Sequence, residues 1–487
     1  MAKQKTEKTK FVSGAELAAF LSMVFLLSDL QGMAGNYRRN YLVDVLLLDA
    51  GSVALINTIC TIASFVISFF SVMYVDRTPK PGKDKFKPLV TMAAVPFGLF
   101  AVLQFWTPSG LSAAAVSLMV AYQVAVTIAY NFTGFFTGQA SQIGVVMSPE
   151  HKERDGILSL RGVASAIGNS APLVVVLVMG MLKKPGLISG DGQMYFFSAV
   201  LCAAASTIAT MVAMRLVKER ITYQSKRVNP LVGFADVLKN PYARLVLLSE
   251  FLKAFRSLAS YMGTFLAAAL LGGADKFILF GLPTGVGTFV GMLVVRALLN
   301  KLSSKQIYIL SGIYSVCANA CAFGTGVLAF KHPEVTVYQI IFFVFLFLIG
   351  LQYGASNLLP SMFQADILED LEVKTHKRLD ASLGFIIGIG STCSRTIAEA
   401  LAPLVLYGDT ALNLIKYIQP INDVVQTQTM ETKIRLLAVY TLVQGAMMFL
   451  GAVPFLFYKL TGAHKADIHA QALALRNELS VPEETAD

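Results

Sequence analysis

From residue 15 to residue 459 the chain is a succession of long apolar runs separated by short polar breaks. A helix that crosses a bilayer needs roughly 20 such residues. The runs fall near 15–46, 50–75, 88–107, 111–139, 157–182 and 195–216. After a longer polar segment they resume near 242–271, 277–300, 306–330, 337–360, 381–407 and 436–459. Only 14% of the 487 residues are charged, against about 25% in soluble chains. The pattern predicts an all-α polytopic membrane protein with about 12 transmembrane helices.

The net charge of +10 would point to nucleic acid in a soluble protein. Here the basic residues sit in short breaks between apolar runs, so the expected partner is membrane lipid and not nucleic acid. The densest break, Asp76 to Pro88, holds Arg77, Lys80, Lys83, Lys85 and Lys87. The tail with Lys3, Lys5, Lys8 and Lys10 lacks a small-residue cleavage site and reads as cytoplasmic. Placing both termini inside puts most loop Lys and Arg on the cytoplasmic side. The expected organisation is a cytoplasmic tail at 1–13, a six-helix bundle at 14–216, a central cytoplasmic loop at 217–241, a second six-helix bundle at 242–459 and a cytoplasmic tail at 460–487. The polar stretch 408–434 is expected outside, as a short helix or lid, and 464–487 as a surface helix.

A charge at bilayer depth costs at least about 2.5–3.5 kcal/mol, so such residues face a cavity or a partner. At about 100° per residue, Asp29, Asn36 and Asn40 form one stripe of the first run, with Arg39 at its edge and Arg38 pointing away. Either both arginines snorkel to headgroups, or Arg39 holds an anionic solute group by bidentate hydrogen bonds. Gln123, Thr127 and Tyr130 form a second stripe, suited to sugar hydroxyls or to hydrogen bonds between helices. Glu250 and Lys253 read as a surface ion pair, with Arg256 deeper and the better cavity candidate. Arg395 and Glu399, four residues apart, are either an intrahelical pair or a cavity cation beside a proton-carrying acid.

The five cysteines (Cys60, Cys202, Cys317, Cys321, Cys393) all lie in apolar runs without metal spacing, and read as small core residues. There is no His-Glu-x-x-His, Gly-x-Ser-x-Gly or phosphate-cradling glycine loop. The five histidines (His151, His332, His376, His464, His469) sit in polar breaks or the tail. The residues point away from an enzyme and from a resident cofactor or metal, toward a solute path.

Four stretches resemble one family in order. They are Asp76-Arg77-Thr78 with Gly82 to Pro88, Glu153-Arg154-Asp155 with Arg161, Asn240-Pro241 with Tyr261, and Met362 to Arg378. Together they resemble the glycoside–pentoside–hexuronide:cation symporters, the melibiose-permease-like branch of the major facilitator superfamily. The resemblance implies a monomeric carrier with two six-helix halves in a bacterial-type cytoplasmic (inner) membrane. It also implies alternating access for a small glycoside-like or uronate-like solute. It adds Arg161 to the solute-binding candidates and favours Arg395 as a cavity cation. Cytoplasmic gating would pair Asp76, Arg77 and Lys85 with Asp366 and Asp370, in the loop 361–380. In the family's pattern the second span carries two aspartates that bind the coupling cation, and these positions fall on Ser64 and Ser68. The fourth-span aspartate falls near Tyr130 or Asn131. Hard cations want anionic oxygen, so H+ coupling is expected over Na+. The other outcome is an uncoupled facilitator, or a carrier of a different, anionic solute.

Overall fold

A computed structural model describes residues 11–77, 84, 86–108, 116–148, 151–183, 186–220, 230–375, 379–409, 411–420 and 426–480, and they contain helices but no strand. In chain order the α-helices are α1 (Gly14–Asn40), α2 (Ala50–Arg77), α3 (Lys87–Leu103), α4 (Val116–Gly138), α5 (Ala140–Val146), α6 (His151–Met181) and α7 (Asp191–Leu216). There follow α8 (Pro230–Lys239), α9 (Pro241–Ala254), α10 (Ser257–Leu271), α11 (Ile278–Leu298), α12 (Ser304–Lys331), α13 (Thr336–Thr375), α14 (Asp380–Tyr407), α15 (Met430–Ala438), α16 (Gln444–Ala452) and α17 (Gly462–Ser480). Among the described residues, ten helical segments are long and apolar enough to cross a membrane. Beside them stand the shorter apolar α3, of 17 residues, and α14, whose 28 residues carry Arg395 and Glu399.

The chain divides into two compact units. One is Met1–Ser225 with Gly273–Ile278 and Ile418–Gln426; the other is Lys226–Gly272, Leu279–Tyr417 and Thr427–Asp487. In the first, α1 packs along α6 and α7, and α3 along α4 and α7. Its core holds Phe20, Met23, Leu30 and Met33, with Tyr37 and Tyr195 5.6 Å apart at one end. Acids secure the ends of the helices. Glu16, 5% exposed, takes two bonds from the Arg220 guanidinium at 2.7 and 2.8 Å, and this contact raises the Arg220 pKa further. Glu219 accepts from the Phe86 and Lys87 amides at 2.9 and 2.7 Å, a carboxylate at the N-terminus of α3 where the helix dipole favours it. Glu153, from one of the family-like stretches, accepts from the amides of Phe11 and Val12. In the second unit an aromatic cluster of Tyr308, Phe363, Phe455 and Tyr458 is buried between α12, α13 and the end of the last span.

Several boundaries differ from the sequence reading. The expected loop 361–380 is helical as far as Thr375, because α13 runs for 40 residues without a break. Asp366, Glu369, Asp370 and Glu372 therefore lie on a helix, spaced to put acids on successive turns. The central loop contains α8, over residues 230–239. The stretch 408–434 forms no helix over its described residues before Met430. Part of it belongs to the first unit, where the Gln419 amide donates to the carbonyls of Val43 and Leu48 at 2.9 and 3.4 Å. The seventh span is two helices, α9 and α10, separated by Phe255 and Arg256.

Close helix contacts depend on glycine. A Cβ at Gly168 of α6 would lie 2.2 Å from the Phe25 carbonyl oxygen of α1, and one at Gly291 of α11 would lie 2.2 Å from that of Leu351 on α13. Small residues allow this approach, and helices in lipid associate through it, since lipid tails are as apolar as leucine. Gly168→Ala and Gly291→Ala are each expected to cost about 1–3 kcal/mol of stability through overpacking. The readout is the thermal unfolding midpoint in detergent. Gly324→Ala, where nothing lies within 4 Å of the new Cβ, should leave the midpoint unchanged or higher.

Candidate functional site

In the first unit a polar cluster forms round Arg38. The Arg38 guanidinium lies against the Cys60 thiol of α2 and within electrostatic reach of the Tyr130 hydroxyl on α4. Thr127 touches the same thiol. Tyr130 stacks on Phe97 at 4.8 Å, and Gly134 leaves room for that ring, since a Cβ there would meet Phe97 at 3.0 Å. Gln123 lies one turn before Thr127 and is fully buried, with neither amide atom hydrogen-bonded in the protein. Unmet hydrogen bonds at a buried amide are costly, so Gln123 is a group poised for a partner.

The expected stripe on α1 turns into the protein. Asp29 is 4% exposed and sits beside the Cys202 thiol of α7. Asn40 is fully buried and donates to Asp44 at 3.0 Å, while Asn36 and Arg39 are half-buried. Burial against α7 takes up the face that the helical wheel assigned to solute. Arg38, nine residues from Asp29 and so about half a turn round the helix, is left toward α2 and α4. The signal in the sequence was on those helices: Cys60 and Tyr130 needed a polar neighbour, and Arg38 supplies it. Arg161 donates to the Ser141 carbonyl at 2.9 Å, a contact that ties α6 to α5.

Of the positions to which the resemblance assigns the family's cation-binding acids, Ser64 and Asn131 meet. The Asn131 amide donates to the Ser64 hydroxyl at 2.6 Å, and that hydroxyl donates to the Cys60 carbonyl at 2.6 Å. The pair is neutral and already satisfied.

In the second unit the seventh span carries the charge. Lys253, 8% exposed, lies 2.5 Å from Glu250, whose side chain is 14% exposed. The pair expected at the surface is therefore buried at Lys253 and only partly exposed at Glu250. Arg256 occupies the break between α9 and α10, with its guanidinium 4.6 Å from the centre of the Tyr353 ring on α13. Tyr308 of α12 lies within electrostatic reach of both Glu250 and Arg256. A helix broken inside a span is tolerated where its backbone is buried in protein or lines a cavity. On α14, Arg395 is exposed and Glu399, one turn on, is half-buried.

The gate acids find partners inside their own unit. Asp366 pairs with Lys465 of α17 at 2.7 Å. Asp370 pairs with Lys374 at 2.7 Å and accepts from Asn240 at 2.6 Å. Asn240 in turn caps α9 by accepting from the Tyr242 and Ala243 amides. Lys85 lies outside the described residues, as do the side chains of Asp76 and Arg77 at the end of α2.

The family model described as MFS/sugar transport protein matches residues 12–462. The chain belongs to that family. This transporter is 25% identical over 186 residues to YagG of Escherichia coli strain K12, whose name as a glycoside/cation symporter is itself provisional. The aligned stretch spans 38% of each protein. Among solved structures it is similar to a mutant of the nucleoside transporter NupG, with a TM-score of 0.62 at 13% identity over 91% of this chain and 100% of that one. It is also similar to the xylose transporter XylE of Escherichia coli, with a TM-score of 0.54 at 12% identity over 91% and 96%. These likenesses show the major-facilitator fold. The transporter is an integral membrane protein of a non-enzymatic family.

Hydrogen bonds to a charged group contribute about 1.5–3 kcal/mol, and 1.4 kcal/mol is tenfold in affinity. Arg38→Gln is therefore expected to weaken solute binding about tenfold or more, and Arg39→Gln by much less, in equilibrium binding to purified protein. The reverse ranking would return the role to Arg39.

Proposed function

We propose that this chain is a secondary active transporter that moves a glycoside or sugar-acid solute by alternating access, driven by H+ and not by Na+. The observation that carries the choice of ion is the Ser64–Asn131 hydrogen bond of 2.6 Å. It fills with neutral groups the place where the family pattern holds carboxylates. Na+ is a hard cation that favours anionic oxygen, and these two side chains offer none. Sugar recognition needs donors, acceptors and an aromatic face. Arg38, Thr127, Gln123 and the stacked Tyr130–Phe97 pair supply these in one unit, and Arg256 with Tyr353 in the other. The provisional name of YagG agrees with a glycoside as solute class.

A second reading, a carrier of an anionic solute, is favoured by the arginines Arg38 and Arg256. Both stand within polar clusters where a carboxylate would be held by charge-assisted bonds.

Uptake into proteoliposomes decides between the ions. An inward pH gradient is expected to drive several-fold accumulation of a neutral or anionic glycoside, and an inward Na+ gradient at equal pH to add nothing. Stimulation by Na+ would overturn the reading of Ser64 and Asn131. Equilibration without accumulation under either gradient would make the protein a facilitator.

A further inference from the structure

We propose that Glu250 takes up the coupling proton, and that it does so because a carboxylate on the solute competes with it for Lys253 and Arg256. This rests on the H+-coupled reading above and names both the acid and the charge of the solute.

Three charges lie within two turns of the seventh span. Lys253 is 8% exposed, and its ammonium has Glu250 as partner at 2.5 Å. Arg256, at the helix break, is held against the Tyr353 ring at 4.6 Å and near the Met448 sulfur at 3.8 Å. The sum is one excess positive charge. The charges ride on a fixed support. Ser249 donates to the Gly451 carbonyl at 2.5 Å, and a Cβ on Gly451 would lie 2.9 Å from that of Lys253, so α9 is seated on α16.

An anionic solute group brought to these cations makes a second carboxylate beside Glu250. Two carboxylates sharing one site raise each other's proton affinity. Glu250 then accepts a proton at its carboxylate oxygen, and the solute carboxylate takes over Lys253 and Arg256. One anion and one proton arrive together, and the charge of the cluster is unchanged. Linkage is reciprocal: the proton strengthens solute binding by the factor by which the solute strengthens proton binding. Glu250 is suited to this because it is partly exposed and part of a pair, so it can change partners.

Other ionisable groups stand on the helices around α9. Tyr308 of α12 and Tyr353 of α13 are phenols facing the cluster. The sequence of α16 contains no ionisable group, and α8 carries Asp236 and Lys239. On α13, Asp366 and Asp370 are bound to Lys465 and Lys374, and Glu369 faces His469 of α17. The rest of that acidic run is Glu372, at 9% exposure. On α14, Asp380 opens the helix, and Arg395 and Glu399 lie further along it.

The test adds methyl β-D-glucuronide, or neutral methyl β-D-glucoside, to purified full-length protein in weakly buffered detergent solution, and records binding and proton uptake. Wild type is expected to bind the glucuronide with uptake of about one proton, and with affinity that rises as much as about tenfold per unit of acidification. Glu250→Gln is expected to bind it with no proton uptake and no pH dependence, and Glu250→Asp to restore both. If Glu250→Gln does not fold, Glu250→Gln with Lys253→Met removes both charges, and proton uptake should again be absent. Proton uptake retained in the folded variant, or lost only in Glu399→Gln, overturns the assignment to Glu250 and leaves H+ coupling standing. Proton uptake with the neutral glucoside alone overturns the competition. Glucuronide binding by wild type without proton uptake overturns H+ coupling itself, and binding of neither sugar overturns the solute class and this inference with it.

Discussion

A charge removed from water has to be met by another charge or by fixed dipoles, and several ionised groups among the described residues show how. At the ends of the helices it is met cheaply. Glu16 holds Arg220 in a two-bonded contact, Glu219 caps α3, and Asp366 and Asp370 bind Lys465 and Lys374. Inside the spans the same demand is met with fewer partners. Lys253 relies on Glu250, and Arg256 leans on an aromatic face. The peripheral pairs fix structure, and the inner cluster of Glu250, Lys253 and Arg256 retains one positive charge.

Rigidity makes such a cluster useful. Glycine lets α6 reach the backbone of α1, and α11 that of α13, so the helices carrying polar groups are held by packing that tolerates little displacement. Against that support the break at Phe255 and Arg256 stands out, because it places a cation where a continuous helix would have hidden its backbone. The contrast between rigid contacts and one interrupted span is what gives the seventh span its chemical character.

Much of the fold was legible in the apolar runs, since a run of roughly 20 residues between polar breaks has few alternatives in lipid. What failed did so for physical reasons. Asp366 to Thr375 reads as a loop because it is charged, yet acids at helical spacing matched by Lys465 and Lys374 continue α13 to Thr375. The helical wheel of α1 found a polar stripe but not what faced it. Asp29 faces the Cys202 thiol and Asn40 donates to Asp44 within the bundle, and Arg38, assigned away from the site, lies within electrostatic reach of Tyr130. A wheel gives relative angles along one helix, and only the neighbours decide which angle is inward. Counting positions in the second and fourth spans was more informative, because Ser64 and Asn131 do meet. The Glu250–Lys253 pair was visible as a pattern, but its burial came from α16 and Gly451, far away in sequence.

On the proposed charge balance, a proton and a solute carboxylate enter together. Charge movement measures that balance directly. Wild-type proteoliposomes adsorbed on a solid-supported electrode, given a sudden inward concentration step of a glucuronide at zero potential, should show uptake with no net transport current. A sustained current of either sign accompanying that uptake would contradict the account.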